Sequence, residues 1–248
     1  MAERHTLEQL RRTLGDSNHI VFFGGAGVST ESRIPDFRSE NGRYNAVSNY
    51  GYPPETMLSH SFFINHTPEF FRYYLREMIF PEARPNAAHL ALARLEREGR
   101  LKAVITQNID GLHQLAGSRN VLELHGSVLR NYCMNCGLKY ALNFMLEHGD
   151  AVPHCLDCGG VVRPDVVLYE EGLDPEVMRK AERAIAQADT LIVGGTSLAV
   201  YPAAGLLHYF RGRRLALINK SATDFDGRAD LIIRESIGKA LDYAVNSH

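Results

Sequence analysis

The chain has 248 residues, 45% hydrophobic and 23% charged, with a formal charge of -2. That length can bury one large domain with a smaller insert, and the balance excludes a basic footprint for nucleic acid. No apolar run reaches the roughly 18 residues of a membrane span, and Met1-Ala2-Glu3-Arg4-His5 is polar, so a cytoplasmic protein is the default expectation. Leu7, Leu10 and Leu14 then recur at helical spacing, closed by Gly15-Asp16. His19 to Phe23 reads as the first core strand, running into Gly24-Gly25-Ala26-Gly27-Val28-Ser29-Thr30. Glycines after a buried strand, with small hydroxylated residues at what reads as a helix start, let a pyrophosphate approach the backbone. A plain structural turn is the competing reading. Thr30 stands where a dinucleotide fingerprint has its third small residue. Ala46-Val47-Ser48-Asn49-Tyr50 stands where a dehydrogenase places its acidic ribose ligand. The loop points to a nucleotide and away from hydride transfer.

Residues 39–54 are rich in Gly, Asn, Ser, Tyr and Pro and read as a long, functional loop. Thr67-Pro68-Glu69 opens a helix through Phe70, Phe71, Tyr74 and Met78. Pro85-Asn86 precedes an amphipathic helix with Leu90, Leu92 and Leu95, closed by Gly99. Strands follow at 101–106 and 120–124, then at 165–169 and 190–194, the last ending in Gly194-Gly195. A helix at 175–188 and another at 202–210 flank that strand. Short strands at 215–219 and 231–233 lead to a last helix from Ile237. The alternation predicts an α/β fold, a Rossmann-like parallel sheet with helices on both faces. Gly25, Gln107-Asn108, Gly195-Thr196 and Asn219 then share one carboxyl edge, where ligands bind in such sheets.

Residues 129–163 break the pattern. Cys133-x2-Cys136 and Cys155-x2-Cys158 are 18 residues apart, inside the range of a tetrathiolate zinc ribbon. Disulfides or redox pairs are the competing readings; a cytoplasmic setting and the lack of other cysteines disfavour both. Four thiolates leave no open position, so a single Zn2+ here is structural. The large domain is therefore discontinuous, at 1–38, 81–128 and 164–248. Residues 39–80 form a loop and the helical part of the smaller domain, and 129–163 its zinc-ribbon part.

Thr106-Gln107-Asn108-Ile109-Asp110-Gly111-Leu112-His113 puts many polar groups after a strand, where Gln and Asn could also serve as helix caps. His125 ends the next strand, where a nucleotide sugar would be presented to a general base; a surface or structural histidine is the alternative. Taken in order, Gly25-Ala26-Gly27-Val28-Ser29, Ile34-Pro35-Asp36-Phe37-Arg38, the 106–113 segment, His125-Gly126, the cysteines, Gly195-Thr196-Ser197-Leu198 and Ile218-Asn219 cover nearly the whole chain. In that order they resemble the sirtuin family, the NAD-dependent protein lysine deacylases, as a minimal core of bacterial or archaeal type.

The resemblance implies a set of roles. Gly25, Ala26, Gly27 and Thr30 would line the NAD pyrophosphate and ribose, with Asp36, Phe37 and Arg38 on a cofactor loop. Gln107 would face the nicotinamide ribose, and Asn108, Ile109 and Asp110 would form the nicotinamide pocket. Gly195, Thr196 and Ser197 would meet phosphate or ribose, Asn219 and Lys220 the adenosine ribose, and Ile237 the adenine. The implied catalytic residues are His125, Asn108 and Asp110. The acyl-lysine oxygen attacks the ribose carbon as nicotinamide leaves, and His125 then acts as base on a ribose hydroxyl. The products are free lysine, nicotinamide and O-acetyl-ADP-ribose. A mono-ADP-ribosyltransferase on the same scaffold is the alternative, and a non-catalytic nucleotide sensor a third reading. The partners implied are acylated lysines of proteins or peptides, with no direct nucleic acid and no membrane.

Such enzymes bind the peptide as an added strand. Here Val166, Val167, Leu168 and Tyr169 would flank one side, Leu198 and Val200 the other. Tyr169-Glu170-Glu171 replaces the family's common Phe-Gly-Glu, and its carboxylates could favour basic residues beside the acylated lysine. A Tyr and an Arg three apart mark desuccinylases and demalonylases of the family. Tyr73 and Arg76 have that spacing, yet counting back from Pro85-Asn86 puts Phe71 and Tyr74 at those places. An uncharged acyl group, acetyl first, is expected.

Overall fold

A computed structural model of the chain describes residues 2–36 and 50–246. Phe37, Arg38 and residues 39–49 of the expected loop lie outside the described residues.

The large sheet begins with α1 (Ala2–Gly15) and β1 (Ile20–Gly24), continues through α5 (Ala87–Arg97) and β2 (Leu101–Thr106), and reaches β3 (Val121–Glu123). It is completed by α8 (Pro175–Gln187), β7 (Thr190–Gly194), β8 (Arg214–Ile218), β9 (Leu231–Ile233) and α9 (Ile237–Asn246). All six strands pair in parallel, in the order β3-β2-β1-β7-β8-β9. Strand side chains alternate, so each central strand feeds two cores. Ile20 and Phe22 of β1 join Ile192, Ala216 and Ile218 against α1, α5 and α9. Val21 and Phe23 join Leu191, Val193, Leu215 and Leu217 against α8 and the 203–209 segment. Each fully buried side chain of this size contributes about 1.5–3 kcal/mol. The predicted doubly wound α/β sheet is what the chain forms.

A smaller lobe is assembled from two stretches. The first holds α2 (Pro54–Met57), α3 (His60–Asn65) and α4 (Thr67–Glu77). The second holds β4 (Gly126–Cys133), β5 (Lys139–Ala141), α7 (Leu142–Glu147) and β6 (Val162–Val166), its strands forming an antiparallel sheet in the order β5-β4-β6. Their shared core joins Phe63, Phe70, Phe71 and Tyr74 to Val128, Cys133, Met145 and Val162.

Three local expectations are corrected. The segment after Gly25 is no α-helix but two 3-10 turns, Ala26–Val28 and Thr30–Ser32. Gly27 N–H leaves the turn to bond Gly195 O, and Arg33 turns left-handed at φ 65°, so no helical ladder builds. The helix expected at 202–210 is likewise a 3-10 segment, Ala203–Tyr209. The strand expected at 165–169 is β6, which ends at Val166 and pairs with β4. Beyond it Val167 N–H goes to His125 O and Tyr169 N–H to Leu58 O, so the strand ladder has lost its donors.

The switch point of the sheet lies between β1 and β7, where the winding reverses. There the 26–28 turn lies directly on Gly195, whose φ is 60°. A Cβ on Gly195 would stand 2.5 Å from Val28 N, a backbone atom that cannot move aside. Gly195→Ala is therefore expected to cost about 2 kcal/mol or more by urea denaturation. Gly15→Ala, in open space at the end of α1, should be neutral or stabilise by up to about 1 kcal/mol.

Candidate active site

The carboxyl ends of β1, β2, β3, β7 and β8 open into one cavity of about 850 Å³, closed on its far side by the smaller lobe. Its floor is the contact between two strand-end turns: Gly27 N–H donates to Gly195 O at 2.8 Å. A Cβ on Gly27 would lie 2.8 Å from Gly195 Cα, so the two backbones touch with nothing between them.

One wall is a polar chain linking β1 to β2. Asn108 Nδ2 donates to Ser29 Oγ (3.0 Å), which donates to Asp110 Oδ2 (2.7 Å). The other Asp110 oxygen accepts Leu112 N–H, the first of α6 (Leu112–Leu115), at 2.9 Å from just before the N-cap Gly111. Ser29 is buried, so its hydroxyl needs both partners. It is the site residue that sequence reasoning passed over; a serine two after Gly-x-Gly reads as a turn until Asp110 is seen above it. At the switch point Gln107 Nε2 donates to Thr196 Oγ1 (3.1 Å), joining the ends of β2 and β7.

His125 faces the cavity from the end of β3. Its Nδ1 lies 2.9 Å from Gln107 O, and a carbonyl only accepts, so Nδ1 carries the proton. The neutral ring therefore keeps its lone pair on Nε2. Burial pushes the His125 pKa down, and the bond to Gln107 O pulls weakly the other way. An unprotonated imidazole held in one tautomer, in a cleft, is suited to remove a proton.

Gly25, Ala26, Gly27, Asp36, Gln107, Asn108, Ile109, Asp110 and His125 all line the cavity. Gly195, Thr196, Ser197 and Asn219 line it too, as do Val166, Val167, Leu168, Tyr169 and Val200. Four residues stand elsewhere. Thr30 is exposed, its hydroxyl turned back to Gly27 O at 3.0 Å. Lys220 is exposed beyond the end of β8. Leu198 is buried in the core under α8, and Ile237 packs onto Gly194 beneath the sheet end.

Glu170 and Glu171 are engaged within the protein. Burial opposes ionisation of Glu171, but both Arg163 guanidinium nitrogens (2.8 and 3.0 Å), Leu168 N–H and His60 outweigh it and hold its pKa at about 2. Glu170 accepts Ser61 N–H at 2.8 Å and Ser61 Oγ–H at 2.6 Å. It does so at φ 75°, the backbone for which the family's glycine is suited. Both carboxylates thus tie the loop after β6 to α3, and both stay ionised at the edge of the cavity.

On α4, Tyr74 lines the cavity. Tyr73 instead packs edge-on against Tyr50, and Arg76 forms an exposed ion pair with Asp150. The Tyr-x-x-Arg pair that would read an acidic acyl group therefore points away from the site.

The four cysteines converge at the far end of the smaller lobe. All four Sγ atoms lie within 4.8 Å of one another, with Cys133–Cys158 at 3.4 Å and Cys136–Cys155 at 3.6 Å. Sulfurs on a tetrahedron with Zn–S of about 2.3 Å stand about 3.8 Å apart, whereas a disulfide needs about 2.05 Å. The cysteines fit a structural zinc site. Asn135 N–H and Tyr140 Oη–H donate to Cys133 and Cys155, supporting their thiolates from outside.

A parallel sheet with a polar, histidine-bearing cleft at its switch point, crossed by a tetrathiolate lobe, defines a nucleotide-binding α/β protein. Known proteins narrow that class. A family model described as the Sir2 family matches residues 25–202. An NAD-dependent protein deacetylase of Clostridium acetobutylicum is 60% identical, over 96% of this chain and 98% of its own. One from Cutibacterium acnes is 55% identical over 95% and 96%. A solved structure described as Sir2-p53 peptide-NAD+ superposes with a TM-score of 0.82 at 38% identity, covering 95% of each chain. This chain belongs to the Sir2 family.

Elemental analysis should find about one zinc per chain, and Cys155→Ser should lose it together with several degrees of Tm. A chain that keeps its Tm after complete metal removal would contradict a structural site.

Proposed function

We propose that this chain is an NAD-dependent protein lysine deacetylase that releases nicotinamide and O-acetyl-ADP-ribose. The observation that carries the reading is His125, locked by Gln107 O with its Nε2 lone pair on the cavity beside the Ser29–Asn108–Asp110 chain. NAD as co-substrate supplies an electrophilic ribose carbon and a leaving nicotinamide. The touching backbones of Gly27 and Gly195 make room for a pyrophosphate, and Asn219 stands at the adenosine end in place of an acidic residue. Asp110 and Asn108 hold the carboxamide, with Ser29 fixing their spacing. Gln107 and Thr196 brace the ribose between them. His125 takes the ribose hydroxyl proton, and its burial keeps it unprotonated for that step.

The acylated lysine enters between the 166–169 segment and the 197–200 segment. Tyr74 and the apolar Val128, Val166 and Leu168 around the cavity support acetyl or another uncharged acyl group. Arg76 outside the site speaks against desuccinylation and demalonylation. We place the chain in the cytoplasm; four free thiols in a metal geometry support a reducing setting, and no described helix is long and apolar enough to cross a membrane.

His125→Ala should lower kcat by about 10²–10⁴ while changing NAD affinity by less than about threefold. Because burial lowers the His125 pKa below the ordinary 6.5, its neutral form persists to lower pH than that of a free histidine. The acid limb of kcat/KM should therefore fall below pH 6.5, measured on one acetylated peptide, and be absent from the residual rate of His125→Ala. On a panel of acyl groups on that peptide, acetyl should exceed succinyl by about tenfold or more.

A further inference from the structure

Behind the polar wall lie two buried histidines that the chemistry above does not use. His89 on α5 is 0% exposed and His113 on α6 1%, with ring centroids 4.7 Å apart and planes tilted by 60°. His89 Nδ1 accepts Asn86 N–H at 3.2 Å in the capping box of α5, so the neutral ring carries its proton on Nε2. That Nε2 and both nitrogens of His113 have no hydrogen-bond partner among the described residues. Burial pushes both groups down, His89 to about 4 against the opposing charge of Asp110, and His113 to about 3, so both are neutral at pH 7.

Two imidazoles with three unused nitrogens are a costly way to fill a core that phenyl or isobutyl groups would fill. Their place explains them better than their packing. His89 stands on the helix whose cap, Asn86, donates from Nδ2 to Val28 O (2.8 Å) and Ser32 Oγ (2.9 Å). His113 stands on the helix whose first N–H, that of Leu112, donates to Asp110, and Asp110 also accepts a hydrogen bond from the Ser29 hydroxyl. Asn86 and Asp110, at the starts of the two helices, therefore both hydrogen-bond the same 28–32 segment, and the rings meet where those helices touch. No hydrogen bond joins the rings, but across the 4.7 Å contact the Nε2–H dipole of His89 faces a ring that always keeps a lone pair, a polar match that two phenyl rings lack.

We propose that the His89–His113 contact is a positioning joint for the carboxamide end of the cleft. It sets the spacing of α5 and α6, and so holds Asn86 and Asp110 on the Ser29 turn in the register that receives nicotinamide. The proposal rests on the NAD reading, and its action is confined to the half of the ligand that Asp110 and Asn108 face. ADP-ribose, which lacks nicotinamide, is accordingly the control ligand.

Calorimetric titration of wild type, His113→Phe, His113→Gln and His89→Leu with NAD and with ADP-ribose tests it. His113→Phe should weaken NAD by about tenfold and ADP-ribose by less than about twofold, raising KM for NAD with kcat little changed. His113→Gln, which keeps a donor and an acceptor, should recover most of the NAD loss. His89→Leu should show the same split between ligands, and serves if the phenyl variant does not fold. Equal loss of both ligands, or no loss of either, would overturn the joint while leaving the cofactor reading intact. A wild type that binds neither ligand would overturn the cofactor reading and the joint with it.

Discussion

The site depends on the contact of two backbones at the sheet's switch point. Gly27 and Gly195 approach until amide meets carbonyl at 2.8 Å, and a methyl group on either residue would strike main-chain atoms. That contact aligns the strand-end turns of β1 and β7, so that Gly25, Ala26, Thr196 and Ser197 line one continuous surface. Gln107 N–H to Gly24 O extends the alignment to β2, and Gln107 O to His125 extends it to β3. His125, the proposed general base, is thus oriented by a chain of hydrogen bonds that begins at the glycines. A side chain at the centre would push the turns apart and lose both the floor of the cleft and the tautomer of His125.

The smaller lobe faces that floor, and its stability comes from different sources. Its core is largely aromatic, with Phe63, Phe70, Phe71 and Tyr74 in mutual ring contact, and the tetrathiolate closes its far end. Between core and cleft runs the half-buried Arg163–Glu171 pair, with Arg163 10% exposed in its side chain and Glu171 20%. Such pairs add little net stability, since desolvation offsets attraction. Their geometry is specific, however: Glu171 also accepts Leu168 N–H, setting the 167–171 loop that lines the cavity. Position, rather than stability, is what the ion pair contributes.

Much of this was legible in the chain. The unbroken apolar run Ile20–Phe23 and the paired Cys-x2-Cys spacing report directly on burial and on metal geometry, because each is a local pattern with one dominant physical cause. The glycine turn was legible as a close approach but not as a pair of 3-10 turns. The partner that takes Gly27 N–H is Gly195, 168 positions later, and no local propensity encodes it. Ser29 stayed hidden for the same reason, since its role depends on Asp110 across the sheet. The anchoring of Glu170 by Ser61 and of Glu171 by Arg163 stayed hidden because those partners come from other elements. On α4, counting back from Pro85-Asn86 picked out Tyr74, which lines the cavity, over Tyr73, which packs on Tyr50; helical spacing alone does not separate the two.

The central claim is that one cleft couples the cleavage of NAD to removal of an acyl group from lysine. The most direct measurement is nicotinamide release by the purified chain, with NAD and a peptide carrying either acetyl-lysine or free lysine. The account predicts nicotinamide and deacetylated peptide in equal amounts with the acetylated peptide, and no nicotinamide above background with the free one. Nicotinamide release that proceeds without an acyl group, with ADP-ribose appearing on protein, would contradict it.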